Sequence, residues 1–149
     1  MAATLPDTDR ALRLDNQLCF ALYSASLAMT KFYKPLLEEL GLTYPQYLAL
    51  LVLWEQDDLM VSEIGERLFL DSGTLTPLLK RLEAAGLLHR VRDDQDERRV
   101  HIRLTATGRK LKVRAARIPA CVVQAAQCPV PELVSLTRQV QALRQRLVA

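Results

Sequence analysis

The sequence predicts a mainly α-helical fold with a small β-hairpin wing, a winged helix-turn-helix whose N- and C-terminal helices form a dimerisation platform. Three observations carry that expectation. Leu75, Leu78, Leu79 and Leu82 fall at i, i+3, i+4 and i+7, with Thr74, Thr76, Lys80 and Arg81 on the opposite face. Two short stretches, Leu87–Arg92 and Arg99–Leu104, follow that helix and flank the polar turn Asp93–Arg98. Helical segments near both chain ends carry apolar stripes.

In chain order, residues 1–14 form a polar lead-in that is expected to be flexible. Asp15 is placed to cap a long helix from Asn16 to about Leu40, with Leu18, Leu22, Ala25 and Met29 at helical spacing. Pro35 should kink that helix or start a second segment, and Gly41 ends it. Thr43 caps the next helix, with Pro45 early in it, and the helix runs through Tyr47, Leu50, Leu51 and Trp54 until Gln56-Asp57-Asp58 breaks the pattern. Ser62 caps a short helix, favoured in its first turns by Glu63 and Glu66. After the turn Phe69–Gly73 comes the amphipathic helix, closed by Gly86.

Two helices joined by a short turn, the second with a polar and basic outer face, make a helix-turn-helix. In the second wing strand Val100, Ile102 and Leu104 alternate with Arg99, His101 and Arg103, so one face packs and the other is solvated. Thr105 caps a further helix bearing Arg109, Lys110, Lys112, Arg114 and Arg117 and reaching Cys121 and Cys128. Pro129-Val130-Pro131 interrupts, and a last helix, about Glu132 to Leu147, puts Leu133, Leu136, Val140, Leu143 and Leu147 on one stripe. Residues 15–60 and 105–149 are thus expected to form the helical dimerisation region and 61–104 the winged helix-turn-helix, within one compact domain.

The totals narrow the function. Net charge is only +3 over 149 residues, but residues 80–117 hold 12 basic and 5 acidic side chains while residues 1–79 hold 5 and 11. A basic middle third is the footprint of a nucleic-acid surface. No apolar run reaches membrane-spanning length, and Met1–Arg13 has no apolar signal core, so a cytoplasmic protein is expected. Three cysteines (Cys19, Cys121 and Cys128) argue against a disulfide framework. None has zinc-ligand spacing, and His89 and His101 are far from them in sequence, so neither a metal site nor a cofactor is expected.

At the recognition helix, Ser72, Gly73, Thr74 and Thr76 bring small hydroxyls and backbone N–H groups to the leading end, where they can approach a groove. Lys80 and Arg81 suit phosphates or guanine, and Arg90 and Arg92 face phosphates. Cys19 lies in the first turns of the first long helix, where a helix N-terminus favours the reactive thiolate, although Asp15 opposes this. Tyr23 lies one turn further on, and Phe20, Leu22 and Met29 supply apolar surroundings.

Leu14-Asp-Asn-Gln-Leu-Cys-Phe-Ala-Leu-Tyr23, Tyr33-Lys-Pro-Leu-Leu37, Thr43-Tyr-Pro-Gln-Tyr-Leu-Ala-Leu50, Leu70-Asp-Ser-Gly-Thr-Leu-Thr-Pro77 and Asp96-Glu-Arg98, in this order of elements, resemble the MarR family of dimeric transcription regulators. Within that family the chain is similar to the OhrR-type organic hydroperoxide sensors, over roughly residues 12–120. The resemblance implies a homodimeric repressor on double-stranded DNA, reading a pseudo-palindromic operator with two recognition helices about one helical turn apart. It implies that Pro77 also faces the groove, and that Arg98 at the wing tip enters the minor groove, oriented by Asp96.

At the sensor end the resemblance implies that Tyr33 and Tyr44 hydrogen-bond Cys19 across the dimer interface, and that an organic hydroperoxide oxidises this cysteine first to a sulfenic acid. It implies a disulfide from Cys19 to the partner's Cys121 or Cys128, with capping by a small thiol as the alternative. The movement would shift the DNA-reading heads and release the operator. Two other readings stay open: a regulator relieved by a non-covalent aromatic ligand, and a thiol peroxidase. No enzyme is expected, because the chain lacks a Cys-x-x-Cys pair and has no arginine near Cys19 except Arg13.

Overall fold

Leu75, Leu79 and Leu82 are almost wholly buried, and around their helix the first of two compact units is built. The computed structural model describes residues 7–148, so Met1–Pro6 of the expected lead-in lie outside the described residues. The first unit runs to Arg109 and the second begins at Lys110.

The chain opens with a single helical turn, α1 (Thr8–Ala11), and a 3₁₀ turn, Leu14–Asn16. Residues 8–11 are therefore helical where a plain lead-in was expected. The long helix α2 (Leu18–Glu38) starts after Gln17, not after Asp15, which sits inside the 3₁₀ turn. Gln17 spends its side chain backwards, donating to the carbonyls of Ala11 and Arg13 at 2.7 and 2.8 Å, and so fastens the lead-in to the start of α2. Pro35 neither ends α2 nor splits it; the helix runs on to Glu38. Its real stop is Gly41, at φ +70°, where the Leu42 N–H donates to Leu37 O and the Gly41 N–H to Glu38 O, each at 3.0 Å.

Thr43 opens α3 (Tyr44–Glu55) with a reciprocal capping box: its Oγ1 accepts from Gln46 N and its N–H donates to Gln46 Oε1. Ala49, Leu50 and Leu53 of α3 are buried. Next comes a two-residue strand, β1 (Leu59–Met60), which the alternation of two residues could not announce. The helix α4 (Val61–Leu68) is N-capped by Met60 rather than Ser62, with Met60 N–H donating to Glu63 Oε1 at 3.1 Å.

A tight turn at Phe69 and Leu70 joins α4 to α5 (Ser72–Ala84), the recognition helix. Phe69 has left-handed backbone (φ 58°), and Leu70 N–H donates to Gly65 O. Gly65 is required there, because a Cβ would stand 2.7 Å from the Leu70 carbonyl oxygen. Asp71 caps α5 by accepting from Thr74 N at 2.8 Å, and those N–H bonds hold its carboxyl below the usual carboxylate range.

The strands β2 (Leu88–Arg92) and β3 (Val100–Leu104) form the wing, and β1 joins them in an antiparallel sheet of order β1-β3-β2. In β3 the core side is Ile102 and Leu104, paired with Leu59 of β1 and Leu88 of β2 respectively. Thr105 caps α6 (Ala106–Ala115) by accepting from Gly108 N at 3.0 Å. Trp54 Nε1 donates to Gly108 O at 2.9 Å, which ties α3 to the start of α6.

In the second unit, α6 stops at Ala115 and a separate helix, α7 (Ile118–Ala126), follows with Pro119 in its first turn. The single helix expected between Thr105 and Cys128 is thus two. The last helix, α8 (Val130–Val148), already includes Val130 and Pro131, because a proline in the first turn loses no helical hydrogen bond. Val134, Leu136, Val140 and Leu147 are exposed along α8. No helix among the described residues is long and apolar enough to cross a membrane.

Candidate DNA interface and thiol site

Burial of Leu75, Leu78, Leu79 and Leu82 forces the other face of α5 outward. Ser72, Gly73, Thr74, Pro77, Lys80 and Arg81 are exposed, and Thr76 is half-buried. Pro77 is the sixth residue of α5 and withholds the N–H that the Gly73 carbonyl would otherwise accept.

The wing loop is held by short-range bonds. Asp93 N–H donates to Arg99 O at 2.9 Å, and Gln95 N–H to Asp93 Oδ1 at 2.9 Å. Asp96 acts on Arg98 through the backbone: its Oδ1 accepts the Arg98 N–H at 3.0 Å, while Oδ2 lies 3.8 Å from Arg99 Nε. The Arg98 side chain is exposed.

Between the wing and the recognition helix lies a cleft of about 260 Å³, lined by Met60, Val61, Ser62, Ser72, Thr76, Arg90, Arg98, Arg99 and Val100. Four residues singled out by sequence (Ser72, Thr76, Arg90 and Arg98) meet there. Gly73, Thr74, Pro77, Lys80, Arg81 and Asp96 do not line it. Ser62, read from the sequence only as a cap, and Arg99, read as a solvated strand residue, complete its polar wall. Arg90 is the pivot: its N–H donates to Glu83 Oε2 at 2.8 Å, and its buried Nε has no acceptor among the described residues. An unsatisfied buried guanidinium donor beside two further arginines and three hydroxyls suits an oxyanion such as a DNA phosphate.

Cys19 is the second residue of α2, at an end that no side chain caps, and it is exposed. Its own N–H and those of its neighbours are among the unpaired donors of a helix N-terminus. Leu18 and Tyr23, both about 60% exposed, and Phe20 flank it with apolar and phenolic surface.

The tyrosines are elsewhere. Tyr33 and Tyr44 hold their ring centroids 5.0 Å apart, and buried Tyr47 packs against both, at 6.0 and 6.4 Å. Tyr47 was missed as part of this cluster, although its spacing of three from Tyr44 places both on one helical face. Burial, then the Tyr44 and Tyr47 hydroxyls, push the Tyr33 phenol up to about 12. Both Tyr44 and Tyr47 are also raised, chiefly by burial. All three therefore remain hydrogen-bond donors at neutral pH. Cys19 and Tyr33 sit on one unbroken helix, so at 1.5 Å per residue their fourteen-residue spacing corresponds to about 21 Å. The thiol and the phenols of one chain cannot touch.

Cys121 is half-buried on α7. Cys128, expected on the same helix, lies beyond its end. Gln127 ends α7 in left-handed backbone (φ 53°), and Cys128 lies in the turn before α8, so the two thiols do not share a helix face. Among the described residues no group of three or more His, Cys, Asp or Glu could hold a metal ion.

Comparison with known proteins agrees with this geometry. Residues 31–114 match the family model for the transcriptional regulator SarA/Rot. The chain is 57% identical over 112 residues to the organic hydroperoxide resistance transcriptional regulator of Bacillus subtilis, covering 75% of this chain and 76% of that one. It is 52% identical over 136 residues to the HTH-type transcriptional regulator TtmR of Methylorubrum extorquens, covering 91% and 70%. Among solved structures it resembles reduced AbfR bound to DNA, with a TM-score of 0.79 and 34% identity over 96% of this chain and all of that chain. The disulfide-formed state of AbfR matches with a TM-score of 0.65 and 37% identity over 91% and 95%.

Proposed function

Because the chain belongs to the SarA/Rot and MarR-type family of winged-helix transcriptional regulators, which are not enzymes, we propose that it is a homodimeric repressor that reads organic hydroperoxides through Cys19. The observation that carries this reading is the separation of Cys19 from the Tyr33–Tyr44 pair along α2. An exposed thiol at a helix start and a half-buried pair of phenols at the other end of that helix make one site only when a second copy brings its Cys19 to them. The exposed apolar side chains of α2 (Leu18, Phe20, Leu27 and Met29) supply a surface for that copy.

The chemistry follows from the thiolate. Cys19 Sγ⁻ attacks the outer peroxide oxygen; the O–O bond breaks, the alcohol leaves after taking a proton, and Cys19 becomes a sulfenic acid. Phenol O–H groups of Tyr33 and Tyr44, donated to sulfur, stabilise the thiolate before attack. A thiol of the partner, at Cys121 or Cys128, then displaces water from the sulfenic sulfur to give an intersubunit disulfide. The close relation to a hydroperoxide resistance regulator and to a protein with reduced and disulfide states supports this sequence of events.

At the other end, Ser72, Gly73, Thr74, Thr76 and Pro77 read base edges in the major groove, Lys80, Arg81 and Arg90 neutralise phosphates, and Arg98, placed by Asp96, enters the minor groove. The test is Cys19→Ser. It should bind operator DNA as the parent does and fail to release it on cumene hydroperoxide. Release by the variant would sink the sensor assignment and leave a non-covalent ligand as the trigger.

A further inference from the structure

His101 occupies the middle strand of the wing sheet, on the face away from Ile102. Its Nε2 lies 3.2 Å from Asp93 Oδ2, at the root of the wing loop. Its Nδ1 is buried and 3.5 Å from Asp58 Oδ1, without the alignment of a hydrogen bond. Asp58 belongs to the turn between α3 and β1 and adopts left-handed backbone (φ 58°). One ring therefore stands between two carboxylates from two separate segments.

A neutral imidazole carries one N–H and can donate to only one of them, turning a lone pair toward the other; an imidazolium donates to both. The other groups around the ring are few. On β3, Arg103 Nε takes Asp58 Oδ1 at 3.0 Å, and Arg99 draws on Asp93 and Asp96. On β2, Val91 stands opposite His101, with His89 two pairs along; β1 offers only Met60. Behind Asp58, Asp57 is occupied by Leu104 N and by Arg109. Asp93 is held below the usual carboxylate range, first by the Gln95 N–H and then by His101.

Asp93 also closes the loop through Arg99 O, and the next turn of that loop is Asp96 gripping the Arg98 N–H. A chain of contacts thus runs from the α3–β1 turn through His101 to the wing arginine. We propose that His101, as imidazolium, is a positioning residue of the wing: by donating to Asp93 while setting its charge against Asp58 it braces the loop that presents Arg98 to DNA. This rests on the DNA-binding reading above and adds a proton to it. Protonation gives the ring its second N–H, so operator affinity should rise as pH falls and fall as pH rises.

Two measurements test this on the full chain, kept reduced so that Cys19 stays silent. In the first, backbone amide shifts of Gln95, Asp96 and Arg98 are followed by NMR from about pH 5.5 to 8.5 without DNA. They should track the His101 imidazole titration in the parent and stop doing so in His101→Gln, while His89→Gln keeps the parent pattern. In the second, operator affinity at constant ionic strength should tighten about fivefold as pH falls from about 8.5 to 5.5 in the parent, a fraction of a lost wing-arginine contact, and stay flat in His101→Gln. Loop amides that ignore the imidazole overturn the brace. An affinity whose pH dependence survives in His101→Gln overturns its effect on DNA. Absence of operator binding at every pH would instead count against the repressor reading, and the amide shifts would still decide the brace.

Discussion

The rings of Tyr33 and Tyr44 meet at 5.0 Å between centroids and 48° between planes, from two helices separated by the Gly41 turn. Half-burial in this contact raises both phenols, so they stay protonated at neutral pH. Replacing either by Phe removes a donor to a thiolate and leaves the ring packing. Tyr33→Phe and Tyr44→Phe are expected to slow oxidation of Cys19 by organic hydroperoxide on the order of tenfold, as one charge-assisted hydrogen bond would. Stopped-flow kinetics on the reduced protein measure it, and unchanged rates would remove the phenols from the sensor.

The same burial sets a pH limit. Tyr33 is raised from 10.0 to about 12 in the folded chain, so the folded state holds its proton more tightly than the unfolded chain does. Stability is therefore fully present below pH 10 and falls as pH rises from 10 toward 12. Denaturant midpoints across that interval should show the decline, and Tyr33→Phe should flatten it.

Asp71 acts at the acid end. Its carboxyl is lowered by the Thr74 N–H, so its stabilising effect is present above the ordinary carboxylate pKa of 3.8 and is lost as pH falls below it. Asp71→Ala should lower the melting temperature at neutral pH, with the difference from the parent fading under acid. A constant difference at all pH values would mean that the cap works through something other than its charge.

Pro77 sets stability against binding. An interior proline costs a helix about 3 kcal/mol relative to alanine, so Pro77→Ala should stabilise the fold, on the order of 1–3 kcal/mol. If the ring meets the groove, the same variant binds operator more weakly. A variant that is more stable and binds equally well would reduce Pro77 to a structural accident.

Arg98→Ala should cost about 1–3 kcal/mol of operator affinity, and Lys80→Ala should weaken binding to all sequences while lowering the salt slope by about 1. For the thiols, one equivalent of hydroperoxide should give a covalent dimer on non-reducing electrophoresis in the parent and in Cys128→Ser, and none in Cys121→Ser. A dimer that survives Cys121→Ser and vanishes in Cys128→Ser would transfer the role to the turn before α8.

Much of this was legible because periodic burial leaves a periodic sequence. The leucines at 75, 78, 79 and 82 declared α5, and the Val100–Ile102–Leu104 alternation declared β3. What escaped was set by contacts distant in sequence or by competition between nearby signals. Two residues cannot show alternation, so β1 exists only because Leu59 and Met60 find Ile102 and His101. Asp15 looked like a cap, but Gln17 bonds backward and moves the start of α2. A break at Ala116 carries no Gly or Pro before it, so α7 was merged with α6. The outward polar residues of α5 and the wing were readable by type and position, whereas Ser62 and Arg99 joined the cleft only through folding. His101 looked like one more solvated strand residue until the turn at Asp58 arrived beside it.

The length of α2 between Cys19 and Tyr33 has a genetic consequence. A chain with Cys19→Ser keeps its phenols, and a chain with Tyr33→Phe and Tyr44→Phe keeps its thiol. Each homodimer is defective at both sites, yet a mixed dimer pairs the surviving thiol of one with the surviving phenols of the other. Two silent alleles expressed together should therefore complement, restoring one site in each mixed pair, which neither allele can do alone.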